Sequence, residues 1–251
     1  EKLHKSVNEL ALSNEKLSSM QQALKQSEKL AHMGQLSAGI AHELNNPLAI
    51  VIMYSNILLD ESTPDDPVRE DLKLIVEQAG RCKKIVGGLL NFARKSQVNH
   101  QLVNIKELVT HSLESVIVPE NVTVKLADQA TDPDAMLDSE QMIQVLSNLI
   151  KNALDAMPGG GEISILLEDT LSDVTITVGD SGTGIKEEDR VKIFEPFYTT
   201  KGLGHGTGLG LATTYGIVKM HKGQITVESN TDPAKGPTGT RFRIVLPRKK
   251  E

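Results

Sequence analysis

The sequence predicts an α+β chain: an N-terminal coiled coil and helical hairpin that pair with a second copy as a dimeric four-helix bundle, followed by an α/β sandwich. Three observations carry this expectation. Leucines recur every seven residues at the N-terminus, two long amphipathic runs flank a turn holding two prolines, and beyond about residue 95 short β-rich runs alternate with helical ones.

The heptad register passes through Leu3, Leu10, Leu17 and Leu24 to Ala31, the spacing that keeps one seam of a supercoiled helix facing its partner. Its companion positions Val7, Asn14, Gln21 and Glu28 are mostly polar, so residues 1–29 read as a marginal connecting stalk, easy to shift in register. Helical periodicity continues to Asp60, with Leu30, Met33, Ile40, Leu44, Leu48, Val51, Ser55 and Leu59 on one side at ~100° per residue. Pro64 and Pro67 then stop the helix, because a proline removes a backbone donor and crowds the preceding turn. A second run over 68–94 carries Leu72, Ile75, Ala79, Cys82, Val86 and Leu89 as its stripe. Such a hairpin, 30–96, has too little core of its own, and two copies would complete the bundle. Within 97–251, the runs 122–126, 162–167, 174–179, 224–228 and 240–246 read as strands, and 105–116, 140–157 and 207–220 as helices. Val174 to Val178 alternates apolar side chains with threonine, the pattern of a sheet with one covered face. Pro158-Gly159-Gly160-Gly161 reads as a helix stop and turn.

Composition excludes several classes of function. A chain of 251 residues, 39% hydrophobic, can bury a substantial core. Its net charge is −6 and its cations are dispersed, so no basic stripe recommends a nucleic acid as partner. The single cysteine, Cys82, excludes an internal disulfide and reads as a helix packing residue. No apolar run reaches the ~18 residues needed to span a bilayer and no signal peptide opens the chain, so this stretch is expected to be soluble and cytoplasmic. It begins at Glu1, without methionine and within a helical pattern, as expected of part of a longer protein with a sensing domain or membrane anchor upstream.

The chemistry-bearing residues fall in two places. Asp180-Ser181-Gly182-Thr183-Gly184 is followed about twenty residues later by Gly202-Leu203-Gly204-His205-Gly206-Thr207-Gly208-Leu209-Gly210. Glycine admits a ligand to backbone N–H groups that a Cβ would screen, and a helix opening after Gly208 turns its positive end to anions, so the expected ligand is a polyphosphate. The second place is Ala41-His42-Glu43-Leu44-Asn45-Asn46-Pro47. His42 falls on the far side of its helix from the apolar stripe, so its imidazole is expected to face solvent as a nucleophile. Glu43 would hold the other ring nitrogen, and Asn46, one turn on, would orient a water molecule. Metal binding by His42 lacks the second histidine of a His-Glu-x-x-His pair.

These residues together resemble the catalytic core of a sensor histidine kinase of two-component signalling. Ser37 to Leu48 looks like the H box, Asn148-Leu149-Ile150-Lys151-Asn152-Ala153 like the N box, and Asp180 to Gly184 like the G1 box. Ile193 to Lys201 looks like the F box, Gly204 to Gly210 like the G2 box, and all five stand in the family order. Asn152 to Met157 is similar to the branch of nitrogen-regulation and dicarboxylate sensors. The resemblance implies a Bergerat-type ATP-binding domain, Mg²⁺ and ATP, a homodimer, and phosphoryl transfer through His42 to an aspartate on a response regulator receiver domain. It also implies that Asp180 reads the adenine amino group and that Asn152 ligates Mg²⁺ with help from Asn148 at the phosphates. Gly182 and Gly184 would shape the nucleotide wall. Gly204, His205, Gly206, Thr207, Gly208 and Leu209, with Lys201, would form a mobile lid over the phosphates, and Thr240 would lie near the adenine.

Two details sharpen that expectation. Related ATPases of this fold carry a glutamate at the position of Asn148, and an amide is a far poorer base for activating water, which favours transfer to a side chain over hydrolysis. Many relatives carry a basic residue three positions beyond the second asparagine, where this chain has Asp155, so a triphosphate contact is missing or supplied from elsewhere. An ATP-driven clamp and a non-enzymatic scaffold are the competing readings; the first predicts steady phosphate release without a labile phosphoprotein, the second no affinity for ATP.

Overall fold

The computed structural model describes residues 43–63, 66–94, 98–202 and 206–248. The expected stalk, His42, Gly204 and His205 lie outside the described residues. The chain divides into two compact units, Glu1–Lys95 and Ser96–Glu251.

In the first unit, helix α1 is described over 43–61 and helix α2 spans Arg69–Arg94. The turn between them is built by Arg69, whose Nη1 donates to Leu59 O (2.7 Å), Ser62 O (2.9 Å) and Ser62 Oγ (2.8 Å). One guanidinium thereby satisfies carbonyls orphaned at the end of α1 and holds the start of α2 against it. The apolar stripe is only partly covered: Ser55, Ala79 and Val86 are buried, while Leu44, Val51 and Ile75 are exposed. Two helices share one narrow seam, so side chains on either flank of it stay uncovered. Cys82, expected as packing, is exposed for the same reason; three residues from Ala79, it sits about 60° around the helix from the seam.

The second unit opens with β1 (Gln101–Asn104) and α3 (Ile105–Glu114), and continues with β2 (Val122–Asp128), β3 (Asp134–Leu137), α4 (Ser139–Asp155), β4 (Gly161–Asp169) and β5 (Asp173–Asp180). The short helix α5 (Glu187–Arg190), α6 (Gly210–Met220), β6 (Gln224–Asn230) and β7 (Gly239–Pro247) complete it. Five strands form a mixed sheet in the order β2-β4-β5-β7-β6, with β2 and β4 parallel and the other pairs antiparallel. Parallel neighbours need a crossover, and α4 supplies it.

Helix α4 is started by Asp138, whose carboxylate accepts from Gln141 N. It buries Met142, Val145, Leu146, Leu149, Ile150 and Ala153 against Ile163, Ile165 and Leu167 of β4 and their neighbours on β5 and β7. One helical stripe on one strand face is the helix-on-sheet layer that the alternation of strands and helices predicts. Arg248, 8% exposed, closes the bottom of the sheet by pairing with Asp132 at 2.5 Å and with Asp169, and by donating to Thr170 O at 2.7 Å.

Two further expectations need correction, and two short strands were not foreseen. Strand β5 is covered on both faces, with Thr175 and Thr177 buried alongside Val174, Ile176 and Val178; it is the central strand, and longer cross-strand neighbours such as Leu166 and Arg243 flank the threonines. Helix α6 starts at Gly210, not at 207, because Gly208 has φ +65, a left-handed geometry that a right-handed helix cannot include. Strands β1 and β3, four residues each, escape a periodicity reading; they pair with one another, and Asn104 Nδ2 donates to Asp134 Oδ1 at 3.0 Å.

Candidate nucleotide site

The site lies along one edge of α4 and at the ends of β5 and β7. Asp180 ends β5 directly across from Thr240 in the antiparallel register. Its Oδ1 accepts from Gly182 N (2.9 Å) and from Thr240 N (3.2 Å), which leaves Oδ2 without a partner among the described residues. Burial pushes the Asp180 carboxyl above its ordinary value, and the two backbone donors act against that shift. Gly239 makes the close approach feasible, since a Cβ there would lie 2.0 Å from Asp180 O.

The turn after Asp180 is pinned to α4. Thr183 N donates to Ala156 O at 3.2 Å, just past the end of that helix, and a Cβ on Gly182 would meet Ala156 O at 2.6 Å. Gly184 takes φ +75 beneath Asn230, whose carbonyl oxygen would lie 2.3 Å from an added Cβ. Ser229, which the sequence reading missed, is the hub of this wall. It accepts from Ile185 N (2.7 Å) and donates to Gly239 O (2.8 Å), and its Oγ stands 3.0 Å from Thr240 Oγ1. No local pattern marks a serine inside a strand as such a hub; only the register that sets Ser229 opposite Thr240 does.

Asn148, Asn152 and Asp155 follow one another along the exposed edge of α4 at spacings of four and three, so they share a face. Asn148 Nδ2 donates to Gly210 O at 3.2 Å, which ties α4 to the first turn of α6. Asn152 Oδ1 accepts from Lys201 Nζ at 3.1 Å, and the same ammonium reaches Asp155 Oδ2 at 2.5 Å. An amide oxygen is a hard ligand of the kind Mg²⁺ selects, and this one already faces a cationic group. The residues therefore fit a divalent cation, although no group of three or more metal-ligating side chains occurs among the described residues.

The first turn of α6 has no side-chain cap at Leu209, so its N–H groups and the helix dipole stand ready for an anion. Thr207 Oγ1 only approaches Leu209 N at 3.4 Å. The segment before it is braced by two residues of positive φ: Phe197 (φ 67) donates its N–H to Gly208 O at 2.9 Å, and a Cβ on Gly208 would lie 2.3 Å from Phe197 C. A non-glycine residue held in that geometry is a mark of a functional loop. Phe194 fixes the base of the loop against Tyr215 and Phe242, and Tyr198 donates to Asp189, a bond that pushes its phenol up to about 12. Gly206 folds back on Thr199 and Lys201, with a Cβ position 2.7 Å from Thr199 Oγ1.

Of the residues singled out in the sequence, Asn148, Asn152, Asp180, Gly182, Gly184, Lys201, Gly206, Thr207, Gly208, Leu209 and Thr240 gather in this region. Glu43 and Asn46 belong to the other unit, where both are exposed on the first described turn of α1.

Comparison with known proteins assigns the family. Residues 32–97 match the model of the His Kinase A (phospho-acceptor) domain, and 137–250 that of the histidine kinase-, DNA gyrase B- and HSP90-like ATPase. The catalytic domain of histidine kinase ThkA is 33% identical, is covered over 96% of its length, and superposes on 60% of this chain with a TM-score of 0.52. The chain belongs to the histidine kinases. Sensor histidine kinase ZraS of Escherichia coli (strain K12) is 33% identical over 231 residues, 91% of this kinase chain and 48% of that protein. Sensor kinase CckA of Brucella abortus (strain 2308) is 34% identical over 246 residues, 91% of this chain and 26% of that one. The chain thus spans about half or less of the curated relatives it matches. Full-length ShkA, solved with AMPPNP, shares the fold at a TM-score of 0.70 and 23% identity over 86% of this chain and 46% of its own. Among the described residues no helix is long and apolar enough to cross a membrane.

Proposed function

We propose that the chain binds Mg²⁺-ATP in its second unit, phosphorylates itself on His42, and passes the phosphoryl group to an aspartate of a response regulator receiver domain. The observation that carries this reading is the tie between two ligand-directed groups. Asp180, with one carboxylate oxygen unpartnered among the described residues, and Asn152, with its cation-facing amide oxygen, are joined through the Thr183–Ala156 hydrogen bond. One end suits an exocyclic amine and the other a metal-bound phosphate, as a nucleotide requires. The family models support the two halves of the reaction separately, a phospho-acceptor domain and an ATPase domain. Histidine kinase ThkA, 26% identical with a TM-score of 0.61, has been solved in complex with response regulator protein TrrA, which supports a partner of that class here.

In this reading Asp180 Oδ2 accepts from the adenine amino group, while Thr240, Gly182 and Gly184 line the base. Mg²⁺ on Asn152 Oδ1 would neutralise charge on the transferred group. Asn148 holds the start of α6 so that its N–H groups meet the phosphates, with Lys201, Gly204, His205, Gly206, Thr207, Gly208 and Leu209 around them. His42 attacks the γ-phosphorus in line, forming an N–P bond as the bond to ADP breaks, and Glu43 takes the proton from the other ring nitrogen. Positioning and charge neutralisation are most of the catalysis for phosphoryl transfer. Asn148, an amide where a base would be needed, disfavours a competing attack by water. Asn46 aims water at the phosphoaspartate in a reverse, phosphatase reaction. The acceptor unit, 30–96, pairs with a second copy, and its exposed apolar side chains Ile50, Tyr54, Leu58 and Leu74 support that pairing. The sequence of Asn152 to Met157 supports kinship with nitrogen-regulation sensors.

Incubation with γ-labelled ATP and Mg²⁺ should label the chain with a phosphoramidate that survives alkali and is lost in acid. His42→Ala should abolish the label and leave nucleotide binding intact. Label retained in that variant would refute the assignment, and steady phosphate release with no labelled protein would point instead to a clamp-type ATPase.

A further inference from the structure

Lys201 does more in this structure than wait for a phosphate. Its ammonium bridges Asn152 Oδ1 at 3.1 Å and Asp155 Oδ2 at 2.5 Å, and Asn152 Oδ1 is the oxygen proposed above as the metal ligand. We infer that Asp155 and Lys201 form a charged latch, which parks the ammonium on the oxygen proposed as the metal ligand and must be displaced by Mg²⁺-nucleotide. The inference rests on the assignment of Asn152.

The physical argument is one of exclusion. Mg²⁺ sits about 2.1 Å from its ligand oxygens, so a metal and the Lys201 ammonium on the same amide oxygen would stand within about 5 Å of each other. Repulsion between a divalent and a monovalent cation at that separation outweighs the return from one hydrogen bond. The ammonium therefore leaves Asn152 as the metal arrives. Asp155 decides how readily it leaves, because the carboxylate is its second and shorter contact.

The latch is weak enough to open. The Lys201 and Asp155 side chains are 32% and 52% exposed, so solvent screens the pair. Its opening is also felt by the glycine segment. A Cβ on Gly206 would lie 3.3 Å from Lys201 Cδ, and Thr199 Oγ1, which accepts from Lys201 N at 3.2 Å, would be closer still at 2.7 Å. The same pair accounts for an acidic side chain beside the proposed triphosphate: Asp155 holds a cation that offsets its own charge.

The test is the ratio of affinities for a fluorescent ATP analogue in Mg²⁺ and in EDTA, measured by equilibrium binding to the full 251-residue chain. Charge alone predicts that Asp155→Asn lowers this ratio, because loss of a negative group helps the more highly charged metal-free nucleotide most. The latch predicts the opposite, a rise of about two- to fivefold, the range of a screened ion pair. Asp155→Ser, which also removes the carboxylate, should move it in the same direction. A ratio that falls or stays constant in both variants overturns the latch. Asn152→Ala reads the underlying assignment separately: it should bring the ratio close to one, and a ratio retained there would remove Asn152 as the metal ligand and the latch with it.

Discussion

Asp180, proposed above to read the adenine amino group, shows what a buried carboxylate costs the fold that carries it. Its carboxyl is held above its ordinary value chiefly by burial, partly offset by the N–H groups of Gly182 and Thr240. A carboxylate of raised pKa contributes its stability below the unfolded value and loses it as pH rises through the folded one. The folded chain without nucleotide is therefore less stable at neutral pH than it would be with a neutral side chain. Asp180→Asn keeps the Oδ1 acceptor and removes the charge. Its thermal unfolding midpoint should match the wild type well below the ordinary aspartate value of 3.8 and exceed it at pH 7, while its affinity for ATP falls by about tenfold or more, as loss of a charged hydrogen bond implies. Equal midpoints at pH 7 would show that the buried charge is better solvated than the structure indicates. Asp180 could be picked out from its glycine neighbours in the sequence, whereas Ser229 could not, because a hydroxyl inside a strand carries no sign of what lies across from it.

Among the elements, α4 carries both the core and the site, and each of its ends is fixed by a different device. At its end, Ala156 O receives the turn that bears Gly182 and Thr183. At its start, the N–H of the capping residue Asp138 donates to His221 Nε2 at 3.0 Å, while Nδ1–H of the same ring donates to Ile217 O at 2.9 Å. His221 is 2% exposed and held neutral: burial is the main cause of its lowered pKa, with the neighbouring His100 adding to it and Ile217 O and Asp138 opposing. A histidine of lowered pKa contributes stability above its unfolded value, near 6.5, that is lost as pH falls through the folded one. Wild type should thus lose stability below pH 6.5 relative to His221→Gln, by at most about 1.4 kcal/mol per pH unit. Denaturant midpoints of the two proteins across pH 5 to 8, a range set by the imidazole pKa of about 6.5, check this; parallel curves would count against a buried neutral ring. The long strands and α4 were readable from periodicity, because each presents an apolar face to a continuous core. Strands β1 and β3 and helix α5 were not, since four residues complete neither a helical face nor a strand pattern.

At the scale of the molecule, the first unit exposes apolar side chains along both helices, including Ile50 at 54%, Tyr54 at 59% and Leu74 at 55%, more than a solitary hairpin keeps in water. Sedimentation equilibrium should find the whole chain dimeric and a 97–251 fragment monomeric; a monomeric whole chain would remove the proposed four-helix bundle. The order of helical unit and sandwich and the two-layer architecture of the second unit were legible in the linear chain, and the residues proposed above to meet adenine, metal and phosphate were marked there by the resemblance of their motifs to a family. The architecture depends on short-range rules, helical periodicity and alternation, and the candidate residues stand in short motifs of glycines and of asparagines one helical turn apart. The Lys201 bridge to Asn152 and Asp155, the Ser229 hub and the two-sided burial of β5 were decided by tertiary structure alone. Those contacts join residues tens of positions apart, or depend on which strand lies in the middle of the sheet, and chain-local patterns carry no information about either.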